Sequence, residues 1–133
     1  MRYAFSLTIP ASTPLATPAI RTVNLDFGRL KRCIVYFHDG CFNHVFGTAS
    51  ASLFQIVPAH GTEALFGNDK SYDIPLDFPL LDPPYEITLK GWSPDTRYPH
   101  TLNYWFDLEQ DEEAVKDAFL KWLTSVQSSE VET

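Results

Sequence analysis

Up to Leu108 the chain is written almost entirely in alternating apolar and polar residues broken by proline, and only Asp111 to Gln127 carries a helical period. A two-residue period buries one face of a strand, and prolines inside such segments exclude helix. Tyr3, Phe5, Leu7 and Ile9 alternate with Arg2, Ala4, Ser6 and Thr8. Pro10, Pro14 and Pro18 then frame an extended connector. Strand character resumes at Ile20 to Leu25 and at Leu30 to Phe37, the latter apolar on both faces from Ile34 onward, as in a central strand. Val45 to Val57 reads as strand around Gly47-Thr48-Ala49-Ser50-Ala51-Ser52. Small residues there leave room for a bulky neighbour overhead or for a second backbone. Pro58 to Lys70 reads as loop, with a turn at Phe66-Gly67-Asn68-Asp69.

Three further alternations follow: Tyr72 to Phe78, which Pro75 demotes to an edge; Tyr85 to Leu89; and His100 to Leu108. Ser93-Pro94-Asp95-Thr96 makes the turn between the last two. About seven short strands with proline-rich links predict a mainly β fold, an antiparallel β-sandwich or jelly roll, followed by one C-terminal helix. Residues 1–108 form the sandwich body and 109–133 the acidic helix and tail. The expected core holds Phe5, Leu7, Ile34, Ile74, Ile87, Leu89, Leu102, Tyr104 and Phe106.

In the helix, Asp111 is positioned as N-cap and Glu112-Glu113 lie in the positive first turn. Val115, Phe119, Trp122, Leu123 and Val126 share one face, the candidate protein-interaction face, and Asp117 is spaced to pair with Lys121. A helix of ~17 residues is marginal alone, so that face must dock on something.

With 133 residues the chain makes one domain able to bury roughly two-thirds of its unfolded surface. Its net charge of −7 is uneven: residues 107–133 hold eight acids against Lys116 and Lys121, a net −6, leaving −1 for the rest. That balance opposes nucleic-acid binding. The N-terminus lacks the apolar run of a signal peptide, and no run reaches the ~18 apolar residues of a spanning helix. The expectation is a soluble protein made in a cytoplasm, without a membrane partner.

Chemistry is sparse. His38, Asp39, Cys41 and His44 are metal-ligand types, but a hairpin centred on Asp39-Gly40 keeps them from converging. Asp69, Asp73, Asp77 and Asp82 lack the spacing of a calcium loop. Cys41 with His44 or His60 is a weak nucleophile pair, and no G-x-S-x-G elbow occurs. The reading is of a non-enzyme without metal or cofactor. Trp92, Tyr98 and Trp105 are candidate exposed aromatics: Trp92 and Trp105 take the outward parity of their strands. They either stack on sugars or are covered by the helix or a subunit.

Several patches resemble small β-sandwich virion proteins of tailed bacteriophages. They are Tyr3-X-Phe5-X-Leu7-X-Ile9-Pro10-Ala11-X-Thr13-Pro14, Gly40-Cys41, Pro84-Tyr85-Glu86-Ile87-Thr88-Leu89-X-Gly91-Trp92-Ser93-X-Asp95 and His100-Thr101-Leu102. The resemblance covers residues 3–108. It implies a capsid decoration (cement) protein in the virion, bound to the major capsid protein or another virion protein, and trimeric as such families often are. A tail or baseplate component shares these features. A carbohydrate-binding or adhesive module is the competing class, which Trp92, Tyr98 and Trp105 exposed in one row would favour.

In the predicted hairpin register Cys33 faces Phe46. Cys33 and Cys41 are then roughly 16 Å apart at ~3.3 Å per residue, too far for a disulfide. Thiol titration of the denatured, unreduced protein should report two free groups; a count of zero would refute their separation.

Overall fold

Strands β1 (Arg2–Ile9), β2 (Ala19–Asn24), β3 (Gly28–Phe37), β4 (Phe46–Ala51), β5 (Phe54–Val57), β6 (Leu65–Phe66), β7 (Lys70–Leu80), β8 (Glu86–Trp92) and β9 (His100–Glu109) precede helix α1 (Glu112–Val131). The structure is a computed structural model. It describes residues 1–51, 54–58, 63–81 and 83–131, with backbone alone for 125–131. One sheet has the order β1-β9-β3-β7, the other β2-β8-β4-β5 with β6 also on β4. Every pairing is antiparallel. The fold is the expected mainly β sandwich with one C-terminal helix.

The inward residues of the two sheets meet in one core. Leu7, Ile9, Cys33, Val35 and Phe37 come from the first sheet with Leu102, Tyr104 and Phe106; Val23, Ala49, Ile87 and Leu89 come from the second. Phe5 and Ile74 pack against it half-buried. Ile34 does not belong to it. Against β9 the ladder shifts register between Leu30 and Arg32, so the extra residue Lys31 resets the alternation. Leu30 and Cys33, three apart, both face inward, and Ile34 faces outward beside Trp105 and Asp73.

The Asp39-Gly40 turn is not a hairpin. β3 pairs with β7 and β9, while β4 lies in the other sheet, so residues 38–45 cross between sheets. Cys33 stands opposite Ile74 and Phe106 rather than Phe46. Both thiols are free and buried, so the two-thiol expectation holds although the register behind it does not. Val45 to Val57 is also not one strand. It folds back on itself, with Ala51 opposite Phe54. The short strand β6 interrupts the expected 58–70 loop.

The small residues of β4 have a bulky neighbour overhead. Tyr104 is fully buried and its hydroxyl donates to the Thr48 carbonyl at 3.1 Å. A Cβ on Gly47 would lie 2.6 Å from Leu102 Cδ1 and 2.8 Å from the Tyr104 hydroxyl. Glycine is required there by space.

The helix docks on the body of its own chain. Asp111 is its N-cap, Oδ1 accepting from the Glu113 amide at 3.2 Å. Val115 and Ala118 are buried, and α1 packs on β7 and β3. Lys121 pairs with Asp77 at 3.3 Å rather than with Asp117, because docking brings the β7 carboxylate within its reach. Asp77 also receives Arg29 at 2.8 Å, and Arg29 reaches Glu109 at 2.7 Å. One guanidinium thus links β3 to both flanking strands. β7 is the edge that Pro75 predicted, and the helix lies over it.

Burial pushes the Asp77 carboxyl up, but hydrogen bonds from Arg29 and Lys121 outweigh it and hold the group below its ordinary value. The hydrogen bond from Arg29 lowers Glu109 likewise. Carboxyls depressed in the folded state stabilise it above their unfolded pKa, and that contribution is lost as pH falls through the folded value. Stability should therefore be flat above about pH 5 and fall as pH drops through about 4. Urea unfolding at pH 7, 4 and 2.5, followed by the helical signal, should show this fall, and Lys121→Met should reduce it. An unchanged midpoint would show that these pairs contribute nothing.

Candidate functional site

Four connectors emerge from one end of the sandwich: residues 10–18, 38–45, 67–69 and 93–99. The register puts them there, because Ile9 pairs with His100, Phe37 with both Leu102 and Lys70, Ala19 with Gly91, and Phe46 with Trp92 and Phe66. Each connector passes from one sheet to the other.

Polar side chains and backbone bonds fasten the connectors together. Asn68 Oδ1 accepts from the amides of Gly40 and Phe42, each at 2.9 Å. The Asn43 amide donates to the Gly67 carbonyl and the Asp69 amide to the His38 carbonyl. On the other side, Thr13, Ser93 and Thr96 are buried. Ser93 N donates to the Thr13 carbonyl at 2.9 Å, and the Ser12 hydroxyl donates to the Thr96 carbonyl at 2.8 Å. Ordering these loops costs conformational entropy that the hydrogen bonds offset within the free protein.

The clamped loops hold apolar side chains in water. Phe42 is 68% exposed and Tyr98 72%, with Leu15 and Phe66 also exposed at the same end. Phe42 adopts φ +48° and Asn43 φ +61°. The left-handed region suits asparagine and opposes phenylalanine, at roughly 1–2 kcal/mol per residue. A strained, outward aromatic fixed by an asparagine clamp gains the fold nothing, and such strain gathers at functional sites. At the same end Phe66 packs on Phe46, which stacks on Trp92 with centroids 5.9 Å apart.

The ligand types of this region do not converge. His38 Nε2 lies 3.3 Å from Asn103 Oδ1, and Asp39 Oδ1 accepts from Asn68. Cys41 is buried with Sγ 3.9 Å from His100 Nδ1, and His44 is exposed. Burial pushes the Cys41 thiol up, which opposes its use as a nucleophile. Asp69 accepts from the Tyr36 hydroxyl at 2.8 Å, a bond that raises the Tyr36 pKa. Asp73 pairs with Arg32 and Asp77 with Arg29 and Lys121. Asp82 and His60 lie outside the described residues. Among those described, no group of three His, Cys, Asp or Glu side chains is placed to hold a metal, and no helix is long and apolar enough to cross a membrane.

Trp92 and Trp105 are half-buried on the outer faces of opposite sheets, and Tyr98 sits at the loop end, so the three do not form a row. The helix packs on β7 and β3, neither of which carries a tryptophan. Of the helical face, Val115 is buried and Phe119, Trp122 and Leu123 are half-buried; Val126 lies outside the residues whose side chains are described. Phe42 escaped the sequence reading, and Asn68 entered it only as part of a turn, because the bonds that make it a clamp span 28 and 26 positions.

No family model and no curated protein matches the chain. Among solved structures it is similar to a protein of the Bacillus endospore appendages, a family of disulfide-linked pili, at 10% identity over 84% of this chain and 88% of that one, TM-score 0.47. It is similar to FLHE at 5% identity over 82% and 98%, TM-score 0.45. The Tobacco streak virus coat protein aligns at 11% identity over 84% and 91%, TM-score 0.39. Likenesses this distant carry no functional argument.

Asn68→Ala should remove the shared acceptor of two hydrogen bonds and cost about 1–2 kcal/mol. Amide hydrogen exchange should speed up at Gly40 and Phe42 ahead of the β3 amides. Unchanged protection at both would show that Asn68 is not the clamp.

Proposed function

We propose that this chain is a non-enzymatic structural protein of a tailed-bacteriophage particle, a decoration (cement) protein that binds the major capsid protein through its loop end. The observation that carries the reading is Phe42, exposed, held at a strained φ and clamped by Asn68. A protein–protein anchor needs a rigid aromatic presented without further ordering cost. The resemblance over residues 3–108 supplies the phage particle and, with it, a trimer with closed symmetry. Repeated contacts from linked copies raise avidity without new chemistry. A sugar-binding reading loses its basis, because Trp92, Tyr98 and Trp105 do not share a surface.

Mass spectrometry and cryo-EM of virions produced from the encoding genome should find the chain on the head. Density at the tail or baseplate would move the assignment there, and absence from the particle would end it. Light scattering should give three times the 15.1 kDa chain mass. Phe42→Gly relieves the left-handed strain but adds chain entropy, so stability should stay within about 1 kcal/mol of the parent. Its binding to heads stripped of the protein should weaken at least ~30-fold. Parental binding by this variant would exclude the loop end as the docking surface.

A further inference from the structure

At the opposite end, α1 together with residues 78–81 and 83–86 lines a groove of about 420 Å³, within the roughly 300–1,000 Å³ of ligand sites. Its walls are aromatic. Trp122 meets Phe54 edge-on at 5.5 Å, Phe78 at 6.4 Å and Phe119 at 6.2 Å between centroids. Tyr85 lines the far side at φ +56°, next to Pro83 and Pro84. Phe54 is 44% exposed, and Trp122 and Phe119 are only half-buried, so their remaining surface faces the groove and solvent.

Glu86 is the one charged residue in the described lining, and among the described residues it forms no ion pair. The helix that forms one wall belongs to the segment with net charge −6, in a chain of net charge −7. Glu86 is exposed at the groove, and a purely apolar occupant would leave its carboxylate without a partner. An anion would meet repulsion. A cation satisfies both parts of the lining, since ring faces attract positive charge and the carboxylate accepts its hydrogen bonds.

We propose that this groove seats a basic side chain, arginine or lysine, from an extended segment of a partner protein. The stem lies against Trp122 and Phe119 and the charged head reaches Glu86. Long basic side chains suit such a site because their methylenes cover apolar surface while the head keeps a polar partner. The inference rests on the groove alone and stands whether or not the loop end binds a capsid.

The test uses the full chain and nuclear magnetic resonance. Its three tryptophans give three indole signals, and Trp122→Phe identifies the one in the groove. The probes are acetyl-Ala-Pro-Arg-Pro-Ala-amide and the same peptide with Lys, norleucine or Glu at the centre. The Arg and Lys peptides should shift the Trp122 indole and the Tyr85 and Thr88 amides saturably at low-millimolar concentration. The norleucine peptide should bind about tenfold more weakly and the Glu peptide not at all. Glu86→Gln should erase the preference for Arg over norleucine while the remaining spectrum stays parental. Equal binding of norleucine and Arg would make the groove an apolar seat and overturn the proposal. So would no saturable shift with any peptide, or shifts confined to Trp92 and the loop end. A larger Trp122 response to methyl glycosides than to Arg would reassign the groove to sugars. None of these outcomes touches the loop-end reading, which Phe42→Gly tests separately.

Discussion

The sandwich depends on how closely its two sheets approach beneath Tyr104. Gly47 and Gly91 are cross-strand partners in β4 and β8, and both lack the atom that would obstruct the opposing sheet. Leu102 and Tyr104 settle over Gly47, and Ile9 and Leu7 over Gly91, where a Cβ would come within 2.4 Å of Ile9 Cδ1. The close approach lets the Tyr104 hydroxyl reach the Thr48 carbonyl, the bond a fully buried phenol requires. Burial also raises its pKa, so it remains a donor through the physiological range. A floor of two glycines thus sets both the spacing and the relative position of the sheets.

That spacing is what allows the connectors to be clamped. With the sheets close at the Gly47–Gly91 end, Ser93 meets Thr13 and Asn68 meets Gly40 and Phe42 over single hydrogen bonds. At the far end Val115 and Ala118 fill space against β7 and β3, and the aromatic rings around Trp122 remain partly open. The two ends therefore differ in kind. One presents fixed apolar tips from loops, the other a recess with a single carboxylate, Glu86, among its described lining residues.

The alternations of β1, β8, β9 and, from Tyr72 to Phe78, β7 were legible because each turns one face inward. So was the cap, since Asp111 acts within its own turn. β3 was legible as a central strand but not in its facing, because the bulge at Lys31 is invisible to a parity count. The Asp39-Gly40 pair satisfied local turn chemistry, yet the partner of β3 is decided by which apolar faces must meet across the core, a non-local matter. The Lys121–Asp77 pair spans 44 positions and no helical spacing rule finds it. Phe42 left little trace. Nothing in a single sequence distinguishes an exposed phenylalanine held at positive φ from a buried one.

The treatment of sheet edges narrows how such a body can associate. β7 carries Pro75 and Pro79, its carboxylates Asp73 and Asp77 are engaged by Arg32, Arg29 and Lys121, and α1 packs against it. On β1 the Ser6 carbonyl already accepts from Arg21 at 2.7 Å, whose guanidinium lies 5.7 Å from the Phe5 ring centroid. In the second sheet β5 spans only four residues. Prolines, charges, short strands and covers are the devices that oppose strand addition. With three of its four sheet edges blunted, the sandwich offers chiefly side-chain surfaces for contact, among them the clamped loop end and the aromatic groove. Both are formed before any partner arrives, so association draws on little further ordering. In the capsid-binding role proposed above, such preorganisation is where affinity can come from.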